Sequence, residues 1–398
     1  MKYHIITFGC QMNISDSEKI AAVLEKTGYK LTSKINEADL VVVNICSVRQ
    51  SAVDRIFGLD KKLKELKTIN YKLKTILTGC VLKKDKKKFE KMFDEVVDIK
   101  NIVKGAKPKY SNKFSALIPI MTGCNNFCAY CVVPYTRGRE ISRPAGEIIC
   151  EVKNLVKRGI KEIWLLGQNV NSYSDIPFPK LLREINNIPG KFWLRFTSSH
   201  PKDFSEELIE VMTECEKVTE YLNLPVQAGD DEVLKKMNRP YTMVYYKNLV
   251  KKIRKKIPNI NLSTDVIVGF PSETKKQFEN TVKVFKEIKY DMAYIAKYSS
   301  RVGTVAAKLE DNVAQEEKDR REKVLTEILK ETALENNKKY IGKKVEVLVD
   351  NYKNSKMWLG KTRTHKNVQF ESDKNLLSRF VKVKITDALP WGLKGKLI

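Results

Sequence analysis

The sequence has no uninterrupted apolar run approaching the roughly 20 residues that span a bilayer. Its opening, MKYHIITFGC, has too short an apolar stretch and no small-residue cleavage site, so it does not read as a secretory signal. A cytoplasmic chain with no membrane partner is the expectation. There is no Walker A loop and no GxGxxG, so nothing argues for nucleotide binding by those routes. Internal repeats and low-complexity linkers are also missing. Acidic residues are few: 48 Asp and Glu stand against 74 Lys and Arg, a formal charge of +26. That excess points to a polyanionic partner, nucleic acid first, although solvated lysine faces give the same count. The distribution favours a partner, because residues 340–398 hold 13 basic residues against 5 acidic ones.

Cysteine is what the chain does have. There are eight: Cys10, Cys46, Cys80, Cys124, Cys128, Cys131, Cys150 and Cys215. In a cytosolic chain of this length a disulfide framework is not expected, and the clustered cysteines suit metal or redox use. Cys150 and Cys215 fall in helical patterns and read as buried structural thiols.

The first 110 residues alternate strand and helix, which implies a parallel sheet with helices on its faces. YHIITFGC, ADLVVVNIC and KTILTGC read as strands ending at Cys10, Cys46 and Cys80. In an open parallel sheet the carboxyl ends share one edge, where ligands bind. Three cysteines 36 and 34 residues apart are therefore expected to converge. The helix after Cys10 reads as capped by Ser15, with Glu18 closing a capping box. From Ser115 about six βα units follow, a partial or full parallel barrel, with polar residues at its strand exits. About five short strands after residue 340 suggest a small β-barrel. The fold class is α/β and multi-domain: an N-terminal open parallel α/β sheet, a central (β/α) barrel and a C-terminal small β-barrel.

The stretch Thr122–Cys131, TGCNNFCAYC, holds three cysteines as C-x3-C-x2-C. A closed zinc site or iron–sulfur cluster takes four protein ligands. Three thiolates leave one position open, as a catalytic site does.

On these residues the chain resembles the radical S-adenosylmethionine (SAM) superfamily, with aromatic Tyr130 just before the last cysteine. Further stretches resemble the methylthiotransferases within it: GCQMN (9–13), NICSVR (44–49), CVVPYTRGRE-x-SRP (131–144), LLGQNVNSY (165–173), SSHP (198–201) and MNRPYT (237–242). The match runs along essentially the whole chain and is most similar to the branch acting on N6-isopentenyladenosine of tRNA. Gln227-Ala228-Gly229, Pro271-Ser272-Glu273 and Arg301-Val302-Gly303 depart from the family pattern in loops, and none removes a cysteine.

The resemblance implies a methylthiotransferase domain over 1–112, a radical SAM domain over 113–338 and a TRAM RNA-binding domain over 339–398. It implies two 4Fe–4S clusters and SAM as cofactors. Cys124, Cys128 and Cys131 would hold the radical SAM cluster, and Cys10, Cys46 and Cys80 an auxiliary one. One SAM would donate a methyl group and another a 5′-deoxyadenosyl radical, so that a methylthio group replaces hydrogen at C2 of the adenosine. Tyr130 is expected against the SAM adenine. Gln168, Ser199, Gln227 and Asp265 are SAM-pocket candidates chosen by strand-end position. Tyr135, Arg137 and Arg139 are expected to meet the RNA, and Arg363, Lys366 and Arg379 its phosphates. His365 reads as a surface residue of the tail, and His200 sits undecided at the barrel mouth. Implied partners are the tRNA anticodon stem-loop, an electron donor such as flavodoxin or ferredoxin, and a sulfur donor, with a monomeric enzyme. Alternatives left open are sister enzymes acting on threonylcarbamoyl-adenosine or on a ribosomal-protein aspartate, and, more distantly, a non-enzymatic metal or RNA-binding module.

Overall fold

The computed structural model describes residues 1–47, 50–354 and 356–398, apart from the Ser51 side chain. Val48 and Arg49, the end of the NICSVR stretch, lie outside the described residues. The first unit is a five-stranded parallel sheet. Its strands are β1 (Lys2–Phe8), β2 (Lys30–Leu31), β3 (Leu40–Cys46), β4 (Lys74–Cys80) and β5 (Glu95–Val96), in the order β2-β1-β3-β4-β5. Every residue of β3 is buried, because helices cover both faces of the sheet. Val41, Val43 and Ile45 pack with Val53 and Ile56 of helix α2 (Gln50–Ile69). Leu40 and Val42 pack on the other side with Ile20 of helix α1 (Gln11–Lys26). The period of two thus feeds two helices.

The expected start of α1 needs correction. Cys10, not Ser15, is its N-cap, because Asn13 at the third helical position turns its side chain back to the Cys10 amide. Ser15 is inside the helix and buried, donating to the Leu117 carbonyl at 3.3 Å.

That carbonyl belongs to β6 (Ser115–Pro119), the first strand of the central unit. A short antiparallel pair follows, β7 (Met121–Thr122) with β8 (Ile141–Ser142). The remaining barrel strands are β9 (Glu162–Leu166), β10 (Trp193–Phe196), β11 (Tyr221–Asn223), β12 (Asn261–Val268) and β13 (Met292–Lys297). They form two parallel sheets, β10-β9-β6 and β11-β12-β13, joined by a bridge between Leu194 and Val218. Among the described residues no ladder joins β6 to β13, so the barrel is partial. Helix α1 stands against β6 at one open edge. The long helix Gln315–Lys338 stands against β13 at the other, burying Leu325, Leu329 and Ala333.

The chain ends in a closed five-stranded barrel. Its strands are β14 (Lys344–Tyr352), β15 (Met357–Thr362), β16 (Asn367–Glu371), β17 (Phe380–Leu389) and β18 (Gly392–Leu397), in the order β14-β15-β16-β18-β17. Val347, Trp358, Phe370 and Val383 fill its centre. Alternation along β15 buries every second residue.

Candidate active site

Cys10, Cys46 and Cys80 meet at the carboxyl edge of the first sheet. Cys46 and Cys80 are register partners on β3 and β4. Cys10 follows β1, two residues after its last strand residue, as the cap of α1. A buried amide pair fixes this edge: Asn13 Nδ2 donates to Asn44 Oδ1 and to the Ile45 carbonyl, each at 3.0 Å. Asn44 Nδ2 returns to the Asn13 carbonyl at 2.8 Å. Gly79 has φ +104°, and a Cβ there would lie 2.3 Å from the Ile45 carbonyl oxygen. Only glycine lets β4 come this close to β3 just before Cys80.

The Cys46 thiol interacts with both Cys10 and Cys80. These contacts push Cys46 far up. They hold Cys10 down at about 6 against burial, with the Asn13 amide and Arg137 assisting. Cys80 is lowered by the same contact with Cys46, against burial and with help from Arg137. Arg137 reaches the set from the central unit. Its Nε donates to Cys80 Sγ at 3.1 Å and its Nη2 to Asp16 Oδ2 at 2.8 Å. The guanidinium is buried, so it is not an open RNA contact. This corrects the expectation from sequence. A buried guanidinium needs anionic partners, and here they are Asp16 and the thiols. Arg301 approaches the Cys46 side, also buried, donating to Gln50 Oε1 at 2.5 Å.

The second thiol set leaves the barrel just after β7. Gly123 has φ +79°, and a Cβ there would sit 2.0 Å from the Arg139 carbonyl oxygen. The Cys124 amide donates to Gly138 O and the Cys131 amide to Cys128 O, so the loop closes on itself. Burial raises the Cys124 thiol and pushes Cys131 up to about 12. Arg239 of the MNRPYT stretch points its Nη1 at Cys128 Sγ, 3.5 Å away. Each set therefore has its own buried guanidinium. Among the described residues no three Cys, His, Asp or Glu side chains gather around a single metal ion. A multi-iron cluster takes its thiolates on separate irons, so ligands spread over a loop or an edge suit it. Neither set has a fourth cysteine, which fits a cluster with one open iron.

Among the expected SAM-pocket residues, Gln168 is half-buried at the exit of β9 and Ser199 buried at the exit of β10, each with a shielded side-chain oxygen lacking a partner. Asn169, Asn171 and His200 beside them also carry partnerless buried atoms. Burial holds His200 neutral, down at about 2. Such a cluster of orphaned polar atoms is where a polar ligand such as SAM fits. Asp265 Oδ2 accepts from Asn223 Nδ2 at 3.0 Å, and the backbone N–H of Gln227, at φ +64°, donates to the Asp265 backbone carbonyl. Tyr130 packs partly buried against the barrel core. A cavity of about 570 Å³ holds Gln168 and Asp265 together with Cys10, Cys46, Cys80 and Arg137. Ser199, Gln227 and Tyr130 do not line it.

Tyr135 is 48% exposed beside the loop, and Arg139 is exposed over the Phe127 ring at 4.4 Å. Arg379 is exposed on the C-terminal barrel. Arg363 and Lys366 differ from expectation. Arg363 pairs with Glu220 at 2.8 Å and Lys366, buried, with Asp291 at 2.6 Å. Both tie the C-terminal barrel to the central one, and their charge is already matched. Cys215 is buried as expected, whereas Cys150 lies on the exposed side of its helix. The residues missed from sequence were Asn13, Asp16, Arg239 and Arg301. Asn13 and Arg239 lay inside stretches already singled out, but only the packing gives them tasks.

Comparison with known proteins agrees with this architecture. Residues 118–285 match the Radical SAM superfamily, 2–100 the Uncharacterized protein family UPF0004 and 338–398 the TRAM domain. Two solved structures share the fold. The radical SAM methyltransferase TsrM from Kitasatospora setae has a TM-score of 0.55 at 14% identity, over 77% of each chain. OxsB has a TM-score of 0.52 at 11% identity, over 83% of this chain and 56% of its own. Relatives from Thermoanaerobacter sp. (strain X514), Acetivibrio thermocellus and Clostridium novyi are each named tRNA-2-methylthio-N(6)-dimethylallyladenosine synthase. Each is 42% identical over all of this chain and 92%, 91% and 96% of its own length, respectively. The chain therefore belongs to the tRNA-2-methylthio-N(6)-dimethylallyladenosine synthase family, within the radical SAM methylthiotransferases.

Proposed function

We infer that the chain is a radical SAM tRNA methylthiotransferase that adds a methylthio group to C2 of N6-isopentenyladenosine (the dimethylallyl name denotes the same five-carbon group). It uses SAM and 4Fe–4S clusters. The observation that carries this reading is the thiol set of the N-terminal sheet. Cys10, Cys46 and Cys80 open onto the same cavity as the barrel residues Gln168 and Asp265. Radical chemistry alone needs one set of thiols, and insertion of sulfur gives the other a purpose.

Cys124, Cys128 and Cys131 would hold one cluster and Cys10, Cys46 and Cys80 the other. Bound there with SAM, the clusters supply the electron, the hydrogen-abstracting radical and the sulfur that side chains cannot. The protein supplies position. Arg137 joins the two sites, because it lies six residues after Cys131 yet donates to Cys80. Arg239 and Arg137 each offer a cationic hydrogen bond to a thiolate, which favours the ionised ligand. Gln168, Ser199 and His200 offer unpartnered polar atoms at the strand exits for SAM. Tyr135 and Arg139 lie exposed beside the thiol loop, with Phe127 under the guanidinium, a surface suited to stacking an unpaired base. The tRNA anticodon stem-loop is the partner, with exposed basic residues of the C-terminal barrel such as Arg379 on its phosphates. A cytoplasmic monomer fed by a flavodoxin- or ferredoxin-type electron donor and by a sulfur donor completes the proposal. No helix among the described residues is long and apolar enough to cross a membrane.

The test is nucleoside mass spectrometry after anaerobic incubation of the reconstituted protein with SAM, reductant, sulfide and prenylated tRNA. The expected result is one methylthio group gained on isopentenyladenosine. Formation of 5′-deoxyadenosine without that gain would move the substrate to a sister target.

A further inference from the structure

The loop between β15 and β16 does not behave as an RNA-binding surface. It leaves the C-terminal barrel and meets the amino ends of the central strands, opposite the thiols. Arg195, fully buried on β10, donates to the carbonyls of Thr362 and Arg363 at 3.0 and 2.8 Å. Asn261 Nδ2 donates to the Thr364 carbonyl at 2.6 Å. The Arg363–Glu220 and Lys366–Asp291 pairs flank these contacts. At the tip stands His365, with φ +63°. A left-handed conformation is strained for a non-glycine residue and persists only where the surroundings enforce it. Here the ring goes inward. Its centroid is 4.6 Å from that of Tyr221 and 5.1 Å from that of Trp164. It lines the 570 Å³ cavity that Cys10, Cys46, Cys80 and Asp265 also line.

We propose that His365 is a positioning residue of the reaction chamber, by which the C-terminal barrel stoppers the floor of the partial central barrel. The chamber is then built from all three units of the chain. The first supplies the auxiliary thiols, the second the strand walls and the third the floor. Burial, with Arg195 and Lys361 nearby, keeps the imidazole neutral, so the ring closes the floor without placing a cation in the chamber. The stopper fixes the depth of the chamber and excludes water from below. A radical reaching the chamber would meet the nucleobase and not solvent, and SAM cleavage would stay coupled to methylthiolation. The coupling part rests on the function proposed above.

The experiment compares full-length, reconstituted wild type with His365→Asn and His365→Phe. Asparagine tolerates the left-handed turn but removes the ring, and phenylalanine keeps an apolar ring. Three quantities are read: 5′-deoxyadenosine formed per methylthiolated nucleoside, the Kd for prenylated tRNA, and acrylamide quenching of tryptophan fluorescence. In His365→Asn the ratio is expected to rise several-fold and quenching to increase as Trp164 is uncovered, with Kd within twofold of wild type. His365→Phe is expected to restore both readings. A wild-type ratio and wild-type quenching in His365→Asn would overturn the proposal. So would a raised ratio that only follows weakened tRNA binding. Wild-type protein that makes no methylthio product would remove the function reading instead, and the quenching comparison would still decide whether His365 stoppers the floor.

Discussion

At the level of single residues, Arg137 and Arg239, each hydrogen-bonded to a thiol, do different work from the arginines on the surface. Arg137 and Asp16 form a buried pair at 2.8 Å, each side chain 7% exposed. Breaking such a pair from one side leaves a buried charge and costs about 3–5 kcal/mol. Arg137→Gln is therefore expected to lower stability by about that amount in urea titrations of cluster-free protein, and Arg137→Lys by less. The thiols divide the reaction into two readouts. Cys46→Ala is expected to leave 5′-deoxyadenosine formation near wild type and to abolish methylthiolation, both followed by mass spectrometry. Cys128→Ala is expected to abolish both. Retained methylthiolation in Cys46→Ala would sink the two-cluster assignment. The cysteines were legible in the sequence because their spacing and strand-end positions are local features. Arg137 was not, since its partners Asp16 and Cys80 lie 121 and 57 residues away.

At the level of elements, the β15–β16 loop carries the largest correction. Two of its cations read as phosphate contacts, but they spend their charge on Glu220 and Asp291. Lys366→Ala leaves Asp291 buried without its cation. It is expected to lower stability by about 3–5 kcal/mol and to leave tRNA affinity within twofold, measured by melting and filter binding. Sequence alone could not separate these lysines and arginines from exposed ones, because alternation reveals which face of a strand is inward but not what lies across a domain junction. The strands themselves were legible. The hydrophobic run of β3 implied burial on both faces, and α1 and α2 provide it. The start of α1 was missed because Ser15 fits the local capping rule while Asn13, which turns back to Cys10, owes its place to Asn44 across the sheet.

At the level of the whole molecule, charge and cavity are segregated. The excess of +26 is a property of the entire chain, but the reaction cavity is walled mainly by thiols, amides and aromatic rings, with one basic and one acidic side chain, Arg137 and Asp265, among them. Binding of tRNA is therefore expected to fall steeply with salt, while turnover at saturating tRNA changes little between the same salt concentrations. Arg379→Ala is expected to weaken binding alike for different tRNA sequences and to reduce the slope of log K against log salt by about one. An unchanged slope would remove Arg379 from the RNA interface.

The amino-acid sequence by itself determined the order of the three units, the two sets of three thiols and the parallel character of the first two units. Each of these follows from local periodicity or from spacing along the chain. Tertiary structure alone decided which cations stay exposed, which arginine serves which thiol set, and that His365 lines the cavity from the far side. Those outcomes depend on contacts between residues dozens to hundreds of positions apart, and on desolvation, which turns a surface charge into a structural one once a carboxylate is buried against it.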